Sequence, residues 1–267
     1  MSVLSGATVE CPRTLPDGRW SVAMRWQNLL FAHWPIEIGA LRPLIPEALA
    51  IDTFDGQAWI GIVPFRLTIR YRCMPWSLSF PEVNVRTYVK RGRQSGVWFL
   101  SLDAHSRLAV AVARRQYALP YHLALMRMRA DGDNCQAISF KSHRRGVDCP
   151  DAALELQYRP LGKSLHPRPG TLEHWLTERY SLFAVGEGGR IAYGQIDHRP
   201  WRLRRAEAKF DINTMFRPLG IATPVDQPLL HFSRRIDAVA WRLRYASEFP
   251  SDRQTERTTS PAKAARY

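Results

Sequence analysis

Long apolar runs are missing from this 267-residue sequence. A helix that crosses a membrane needs about 20 consecutive apolar residues, so no such helix is predicted. Residues 1–20 also lack an apolar segment after a basic start, and they include Glu10, Asp17 and Arg19. We therefore predict neither a signal peptide nor an anchor, and we expect a cytoplasmic protein.

Cysteine is scarce, and the four cysteines have no short paired spacing that would indicate a zinc knuckle or a redox motif. They are expected to be reduced thiols. No two of the eight histidines combine metal-ligand spacing with a cysteine or carboxylate partner, so no metal site is predicted. Phosphate-binding glycine loops, dinucleotide fingerprints and Gly-x-Ser-x-Gly elbows are absent too. We accordingly predict no cofactor.

Lysine is rare: only 5 of the 38 basic residues are lysine, although the formal net charge is +14. Such a charge alone would suggest a nucleic-acid partner. The arginines, however, are spread along the chain among apolar residues without a dense basic tract, and a GC-rich genome produces the same bias. Nucleic-acid binding is therefore disfavoured, and a salt-dependent affinity would reveal it if present.

The sequence contains a central stretch, from Phe80 to Val89, in which apolar and polar residues alternate. Strand side chains point alternately to opposite faces, so one face of this strand is apolar and the other is polar. A polar face of this kind is either solvated or lines a cavity. The polar residues are Glu82, Asn84, Arg86 and Tyr88.

The next segments extend this unit. Val97–Asp103 is predicted to return as an antiparallel strand, and Leu108–Tyr117 as a third strand of a meander. Leu119–Met128 has helical spacing, with Pro120 in the first turn.

The remaining chain is predicted to be mainly strands. Residues 57–70 form a buried strand broken or bulged at Pro64, and the second half of residues 22–35 forms another. Residues 201–210 fit a strand or a helix, and Thr171 caps a helix over Leu172–Tyr180. Further expected elements are a short helix at Ile38–Leu41, a turn at Asp55-Gly56, strands over 137–144, 153–158, 182–185, 190–198 and 231–243, a turn at 131–134 and a loop at 160–170.

These elements predict an α+β, mainly β fold with a few short helices. We expect a flexible leader at residues 1–20, a single domain at 21–247 and a disordered polar tail at 248–267.

Five separate motifs, in order, resemble the YqjF-like family of domains of unknown function. The resemblance covers about Arg25 to Arg244 and rests on Leu41–Pro46, Asp55–Gly61, Pro81–Tyr88, Leu176–Tyr180 and His198–Trp201. That family is similar in turn to acetoacetate decarboxylase. The resemblance implies a curved antiparallel sheet closed into a cone or barrel around a small-molecule cavity, and it also implies a homo-oligomer.

The decarboxylase uses a lysine imine, and a neighbouring lysine lowers the pKa of the first. Here the corresponding Pro-Lys-Lys stretch reads Pro120-Tyr121-His122, and no other lysine lies nearby. Chemistry through an imine is therefore not expected. Glu82 matches a glutamate of the family pattern, and Arg114 falls at the position of its arginine.

Seven residues are candidates for a site. We predict Glu82 as a general acid or base, His122 for proton transfer and Tyr121 as a hydrogen-bond donor to an oxyanion. The predicted substrate-binding residues are Arg86, Arg114, Tyr88 and Trp98. Glu82 and Arg86 share a strand face and are expected to lie close enough to share a ligand or a water. The alternative is that these residues form a paired polar face or the core.

The sequence thus predicts a cytoplasmic cavity protein that binds or turns over a small, anionic, carbonyl-bearing metabolite without an imine-forming lysine. It leaves open whether the protein is an acid–base or lyase-like enzyme. The alternative is a non-catalytic ligand-binding or structural protein of the same fold. A dry Glu82 with a raised pKa favours the first reading, and an exposed, ion-paired Glu82 favours the second.

Overall fold

The computed structural model describes residues 18–131, 137–145 and 151–245. The predicted leader before residue 18, most of the predicted turn at 131–134 and the predicted tail lie outside them. Within the described residues the strands are β1 (Val22–Ile36), β2 (Ala50–Ile51), β3 (Ala58–Tyr71), β4 (Leu78–Arg91), β5 (Gln94–Ala104), β6 (Tyr121–Ala130), β7 (Ile138–Arg144), β8 (Ala153–Leu165), β9 (Ser181–Val185), β10 (Ile191–His198), β11 (Leu203–Asn213), β12 (Leu229–Ala240) and β13 (Arg244–Tyr245). The α-helices are α1 (Ile38–Leu41), α2 (Arg107–Tyr117) and α3 (Leu172–Thr177), and short 3-10 helices lie at Arg42–Leu44, Glu187–Gly189 and Arg217–Leu219.

The sheet closes on itself through hydrogen bonds. Its strands follow the order β5-β6-β7-β8-β11-β12-β1-β3-β4, and β4 pairs again with β5. Strands β9 and β10 make a second connection, from β5 to β12. The neighbours β6 and β9 run parallel to β5, and the other pairs are antiparallel. The prediction of a curved, mainly antiparallel sheet with few helices is confirmed.

Five strands, β1, β3, β4, β5 and β12, each contain a run of consecutive buried residues, so both faces of the sheet are covered there. One face packs into the main hydrophobic core, which includes Leu30, Ile62 and Val85. We call the opposite side the second face. Its residues are Phe31, His33, Gly61, Val63, Phe65, Glu82, Asn84, Arg86, Tyr88, His231 and Ser233.

The predicted third strand of the meander is wrong, because Leu108–Tyr117 lies in α2. Ser106 caps this helix: its side chain accepts a hydrogen bond from the Ala109 N–H at 3.2 Å. Since β5 and β6 run parallel, the chain needs a long crossover between them, and α2 supplies it.

The predicted helix over Leu119–Met128 is also wrong, since this segment enters β6 at Tyr121. Buried Ala124, Met126 and Met128 alternate with exposed Leu125 and Arg127. This period of two is that of a strand with one face in the core. Pro120 precedes the strand, and its carbonyl accepts a hydrogen bond from the Leu102 N–H at 3.0 Å.

The irregularity predicted at Pro64 lies instead in the neighbouring strand β1. β3 is continuous, whereas β1 shifts register between Gln27 and Ala32, opposite residues 63–65. Asn28 takes a positive φ of 52° there, and its carbonyl accepts a hydrogen bond from Tyr158 Oη at 2.6 Å. A proline has no N–H to donate, so β1 loses a pairing partner at this point.

Several predicted boundaries also move. The ambiguous segment 201–210 becomes β11 from Leu203, β8 continues to Leu165 into the predicted loop, and β1 spans Val22–Ile36. The helix that Thr171 caps ends at Thr177, before the predicted end at Tyr180. No helix among the described residues is long and apolar enough to cross a membrane.

Candidate functional site

Glu82 and Tyr121 meet on the second face. Sheet register aligns Glu82 with Ala104 on β5, and Leu102, two positions earlier on the same face of β5, aligns with Tyr121 at the start of β6. The Tyr121 hydroxyl donates a hydrogen bond to Glu82 Oε2 at 3.0 Å. Glu82 is only 3% exposed. The structure therefore brings these two predicted residues together, and their roles stay predictions.

Burial determines the protonation state of Glu82. Burial raises its pKa, the hydrogen bond from Tyr121 opposes this, the carboxylate of Asp103 adds to it, and the net result is a pKa of about 8. Burial and the nearby Glu82 raise the pKa of Tyr121 well above its ordinary value. At neutral pH Glu82 is therefore a protonated acid, and Tyr121 remains a hydrogen-bond donor.

Arg86 and Tyr88 lie further along the same strand, beneath α3. The Tyr88 hydroxyl donates to the carbonyl of Leu176 at 2.8 Å and lies 2.7 Å from His33 Nε2. Arg86 Nη2 lies 3.5 Å from the Tyr88 hydroxyl and 3.4 Å from the Leu176 carbonyl. The Arg86 guanidinium sits 5.1 Å from the ring centre of Phe31. These contacts position the Arg86 guanidinium on the second face.

His33 fills the space above Gly61. Sheet register places His33, Gly61 and Arg86 side by side on β1, β3 and β4. A Cβ atom on Gly61 would lie 2.6 Å from His33 Cδ2 and 2.9 Å from Nε2. Burial, then Arg86, then His231 lower the pKa of His33 well below its ordinary value, so the ring is neutral.

Gly61→Ala is expected to lower the free energy of unfolding by about 1–3 kcal/mol, because the added methyl displaces the buried His33 ring from Tyr88. Urea unfolding measures this change. Gly39→Ala is the matched control, since a Cβ atom there meets nothing within 4 Å. Equal effects of the two substitutions would contradict the tight contact at Gly61.

Arg179 is a second buried guanidinium near Tyr88. Its Nη1 lies 2.7 Å from Asp52 Oδ2, and its Cζ lies 4.2 Å from the Trp175 ring centre and 4.8 Å from that of Tyr88. Our sequence reasoning assigned no role to Arg179, although it lies in the Leu176–Tyr180 motif. Its charge has a partner in Asp52, whereas within the described residues no carboxylate lies within ion-pair distance of Arg86.

His122 does not join Glu82, because it occupies the next position of β6 and therefore points to the other side of the sheet. It aligns with Asp103, which is fully buried and accepts hydrogen bonds from Arg144 Nη2 at 2.8 Å and Nε at 3.1 Å. Burial, then Arg144 and Arg114, lower the pKa of His122 to about 4. His122 is thus a neutral neighbour of a buried ion pair.

Trp98 and Arg114 line a crevice of about 470 Å³ that is separate from the polar row of β4. Trp98 packs against the main core, and its Nε1 donates to the Leu44 carbonyl at 3.1 Å. Arg114 is exposed, and its Nε donates to the Tyr121 carbonyl at 2.7 Å. The structure therefore does not bring these two residues to Arg86.

The distance along β4 also separates Glu82 from Arg86. Four residues of strand span about 13 Å, and Asn84 lies between the two side chains. A single bridging water spans only about 6 Å between its two partners, so this separation disfavours a shared water. A ligand that touches both ends must be extended.

The second face carries several buried polar atoms that have no hydrogen-bond partner in the described part of the chain. They are His33 Nδ1, Asn84 Oδ1, Arg86 Nε, His231 Nδ1 and Ser233 Oγ. Most buried polar atoms in proteins are paired, so five unpaired atoms on one face of one sheet indicate a place for a polar ligand or water. No three His, Cys, Asp or Glu residues of the described ranges are grouped to hold a metal ion.

Comparisons with known proteins agree with this fold. The profile of the DUF2071 family, described as an uncharacterized conserved protein, matches residues 23–237. The uncharacterized protein YqjF of Bacillus subtilis (strain 168) is 41% identical over 235 residues, which cover 86% of this chain and 95% of YqjF.

Two solved structures share the fold at low sequence identity. The enduracididine biosynthesis enzyme MppR complexed with pyruvate superposes with a TM-score of 0.61 at 10% identity, covering 88% of this chain and 92% of MppR. Acetoacetate decarboxylase from Legionella pneumophila superposes with a TM-score of 0.54 at 13% identity, covering 92% and 97% of the two chains. The fold is thus acetoacetate decarboxylase-like, as the sequence predicted. The family profile spans most of the chain, and this protein belongs to the DUF2071 family of uncharacterized conserved proteins.

Proposed function

We propose that the second face binds a small, anionic, carbonyl-bearing metabolite, and that Glu82 and Tyr121 act on it as an acid–base pair without an imine-forming lysine. The observation that carries this proposal is the buried Glu82, whose side chain has one hydrogen-bond partner among the described residues, the Tyr121 hydroxyl. A protein of the same fold, MppR, is complexed with pyruvate, a small carbonyl-bearing anion.

The pKa of Glu82 suits proton transfer. A general acid or base works best when its pKa lies near the working pH, and that of Glu82 is raised to about 8. Its protonated form can donate to a carbonyl oxygen, and its ionised form can accept a proton from the adjacent carbon. Tyr121 can stabilise the developing oxyanion as a second donor.

Arg86 is the proposed anchor for the anionic end of the ligand. Its hydrogen bonds go to two uncharged oxygens at 3.5 and 3.4 Å, and its Nε remains unpaired within the described residues. Arginine binds carboxylates through parallel hydrogen bonds. Phe31, Val63 and Phe65 belong to one buried hydrophobic cluster and lie between the two ends on the second face, so the middle of the ligand is proposed to be apolar. His122, Trp98 and Arg114 have no role in this site.

The second candidate is a non-catalytic ligand-binding or structural protein. It is favoured by the internal pairing of Tyr88 with His33 and Leu176, which stabilises the sheet without any ligand. Homo-oligomer formation, a cytoplasmic location and the lack of nucleic-acid binding stay predictions.

A thermal-shift and calorimetry series with straight-chain oxo acids of five to ten carbons, whose ketone lies on the penultimate carbon away from the carboxylate, tests the proposal, because Glu82 and Arg86 lie about 13 Å apart along β4. We expect an acid of intermediate length to stabilise the parent protein in proportion to the logarithm of its concentration. Arg86→Gln should weaken binding at least 10-fold, because a charged hydrogen bond contributes about 1.5–3 kcal/mol. Glu82→Gln should keep binding and lose any turnover of the bound acid.

Arg25→Gln is the matched control, since Arg25 lies on the same sheet but forms an exposed ion pair with Asp237. It should bind the acid like the parent protein. Failure of every acid to stabilise the parent protein would reject the proposal. Binding with unchanged affinity in Arg86→Gln would reject Arg86 as the anchor, and binding without any turnover would leave the second candidate.

A further inference from the structure

The crevice of about 470 Å³ lies in the fork where β6 and β9 separate along one edge of β5. We call it the fork crevice. We infer that it is a second ligand site, separate from the second face, and that it binds a straight-chain alkyl carboxylate: the hydrocarbon chain fills the crevice, and the carboxylate pairs with Arg114. Sites for small molecules commonly enclose about 300–1,000 Å³ and are mostly apolar.

The pairing of β5 produces this fork. One edge of β5 pairs with β4 along its whole length, so β6 and β9 share the other edge. β9 pairs there at Val97 and Trp98, and β6 pairs from Leu102 to Ala104. In the described part of the chain, residues 99–101 have no strand partner on this edge. The two strands therefore diverge beside them and leave a crevice between their side chains.

The walls of the fork crevice are apolar from the core to the surface. Phe183 is buried in the main core, whereas Val185, two positions further along β9, is 39% exposed. The Trp98 indole already donates its N–H to the Leu44 carbonyl at 3.1 Å, so this wall offers no free donor to a ligand. Such a lining fits a hydrocarbon chain. The apolar side chains that line it include Leu44, Leu100, Leu119, Phe183, Val185 and Leu219.

Arg114 is the one charged residue among the described residues that line the fork crevice. Its Nε donates to the Tyr121 carbonyl at 2.7 Å, which fixes one side of the guanidinium. Among the described residues, Nη1 and Nη2 have no hydrogen-bond partner, and no carboxylate lies within ion-pair distance. Two parallel N–H groups are the arrangement with which arginine binds a carboxylate. Because Arg114 is exposed, the carboxylate of the ligand lies at the mouth.

Calorimetry with hexanoate, octanoate and the uncharged analogue 1-octanol tests this inference. Octanoate should bind the parent protein about 10- to 20-fold more tightly than hexanoate, because each buried methylene contributes about a 4-fold gain in affinity. Octanoate should also bind at least 10-fold more tightly than 1-octanol, since the alcohol lacks the charged hydrogen bonds to Arg114.

Three variants separate the charge from the apolar walls. Arg114→Gln should weaken octanoate binding at least 10-fold and bind 1-octanol like the parent protein. Arg115→Gln is the matched control, because Arg115 is the next residue of α2 and is exposed but does not line the fork crevice. It should bind octanoate like the parent protein. Val185→Asp puts a charge into the apolar wall and should weaken octanoate and 1-octanol binding at least 10-fold. Urea unfolding verifies that the variants fold.

Arg86→Gln distinguishes this site from the second face, and its affinity for octanoate should equal that of the parent protein. Octanoate binding that falls in Arg86→Gln and persists in Arg114→Gln would place the acid on the second face and overturn this inference. Equal octanoate binding by Arg114→Gln and Arg115→Gln would overturn the pairing with Arg114. A parent protein that binds no octanoate would overturn the site and leave the proposed function standing. A dimer that Val185→Asp dissociates, measured by light scattering, would assign the fork crevice to a second copy of the chain instead.

Discussion

Glu82→Gln is expected to gain stability over the parent protein as the pH rises, by about 4 kcal/mol in total between pH 5 and pH 9. The folded-state pKa of Glu82 is about 8, against an ordinary value of 4.5. Between these values the unfolded chain releases a proton that the folded protein keeps, so the parent protein loses about 1.4 kcal/mol per pH unit. Above pH 8 the carboxyl ionises in both states and the loss levels off. Glutamine does not titrate, so the Glu82→Gln variant does not lose stability in this way as the pH rises.

Urea unfolding of both proteins at five pH values measures the difference. Other shifted groups, such as His122, are common to the two proteins and cancel. Glu155→Gln is the control, because Glu155 forms a surface ion pair with Lys141 and its pKa is lowered. Its difference from the parent protein should stay constant from pH 6 to pH 9. A constant difference for Glu82→Gln as well would show that Glu82 is solvated, which would also remove the basis of the acid–base proposal.

Asp103→Ala is expected to lower the free energy of unfolding by about 3–5 kcal/mol, since it leaves the guanidinium of Arg144 buried without a partner. The two side chains are 0% and 2% exposed and lie 2.8 Å apart. Burial raises the pKa of Asp103 despite Arg144, which shows how large the cost of removing this pair from water is. Urea unfolding at pH 7 tests the prediction.

Two further variants identify the cause. Asp103→Leu combined with Arg144→Met removes both charges, and we expect most of the lost stability to return. Asp237→Ala breaks the exposed pair with Arg25 and should cost less than about 1 kcal/mol. If Asp103→Ala and Asp237→Ala cost the same, water must reach the Asp103 pair.

Strong local patterns made the central strand predictable. From Phe80 to Val89 each residue alternates between two environments, and β4 follows this alternation. Leu108–Ala113 misled the prediction, because valines and alanines on every side fit a buried strand as well as a covered helix. The sequence did contain a signal in Ser106, a residue type that caps helices, three positions before Ala109.

The candidate site could be predicted only where its residues lie close in sequence or match a known motif. Glu82 and Tyr121 were found through the family resemblance, and their hydrogen bond agrees with it. His33 and His231 were missed, because β1 and β12 are far apart in the chain and only sheet register makes these residues neighbours. Consecutive strand residues point to opposite faces, so Tyr121 faces Glu82 and His122 faces the other side of the sheet. A sequence pattern does not show which of two consecutive residues faces inward.

The pairing of β1 with β12 can form only late in synthesis of the chain. The residues of β1 align with partners as late as Ala240, so the second edge of β1 is paired only after that residue has left the ribosome. At about 5–20 residues per second, roughly 10–40 s pass between synthesis of the two strands. During this time β1 exposes an unpaired edge to other nascent chains. Chaperone demand and cotranslational aggregation of this protein should therefore depend on the elongation rate over the segment between β1 and β12.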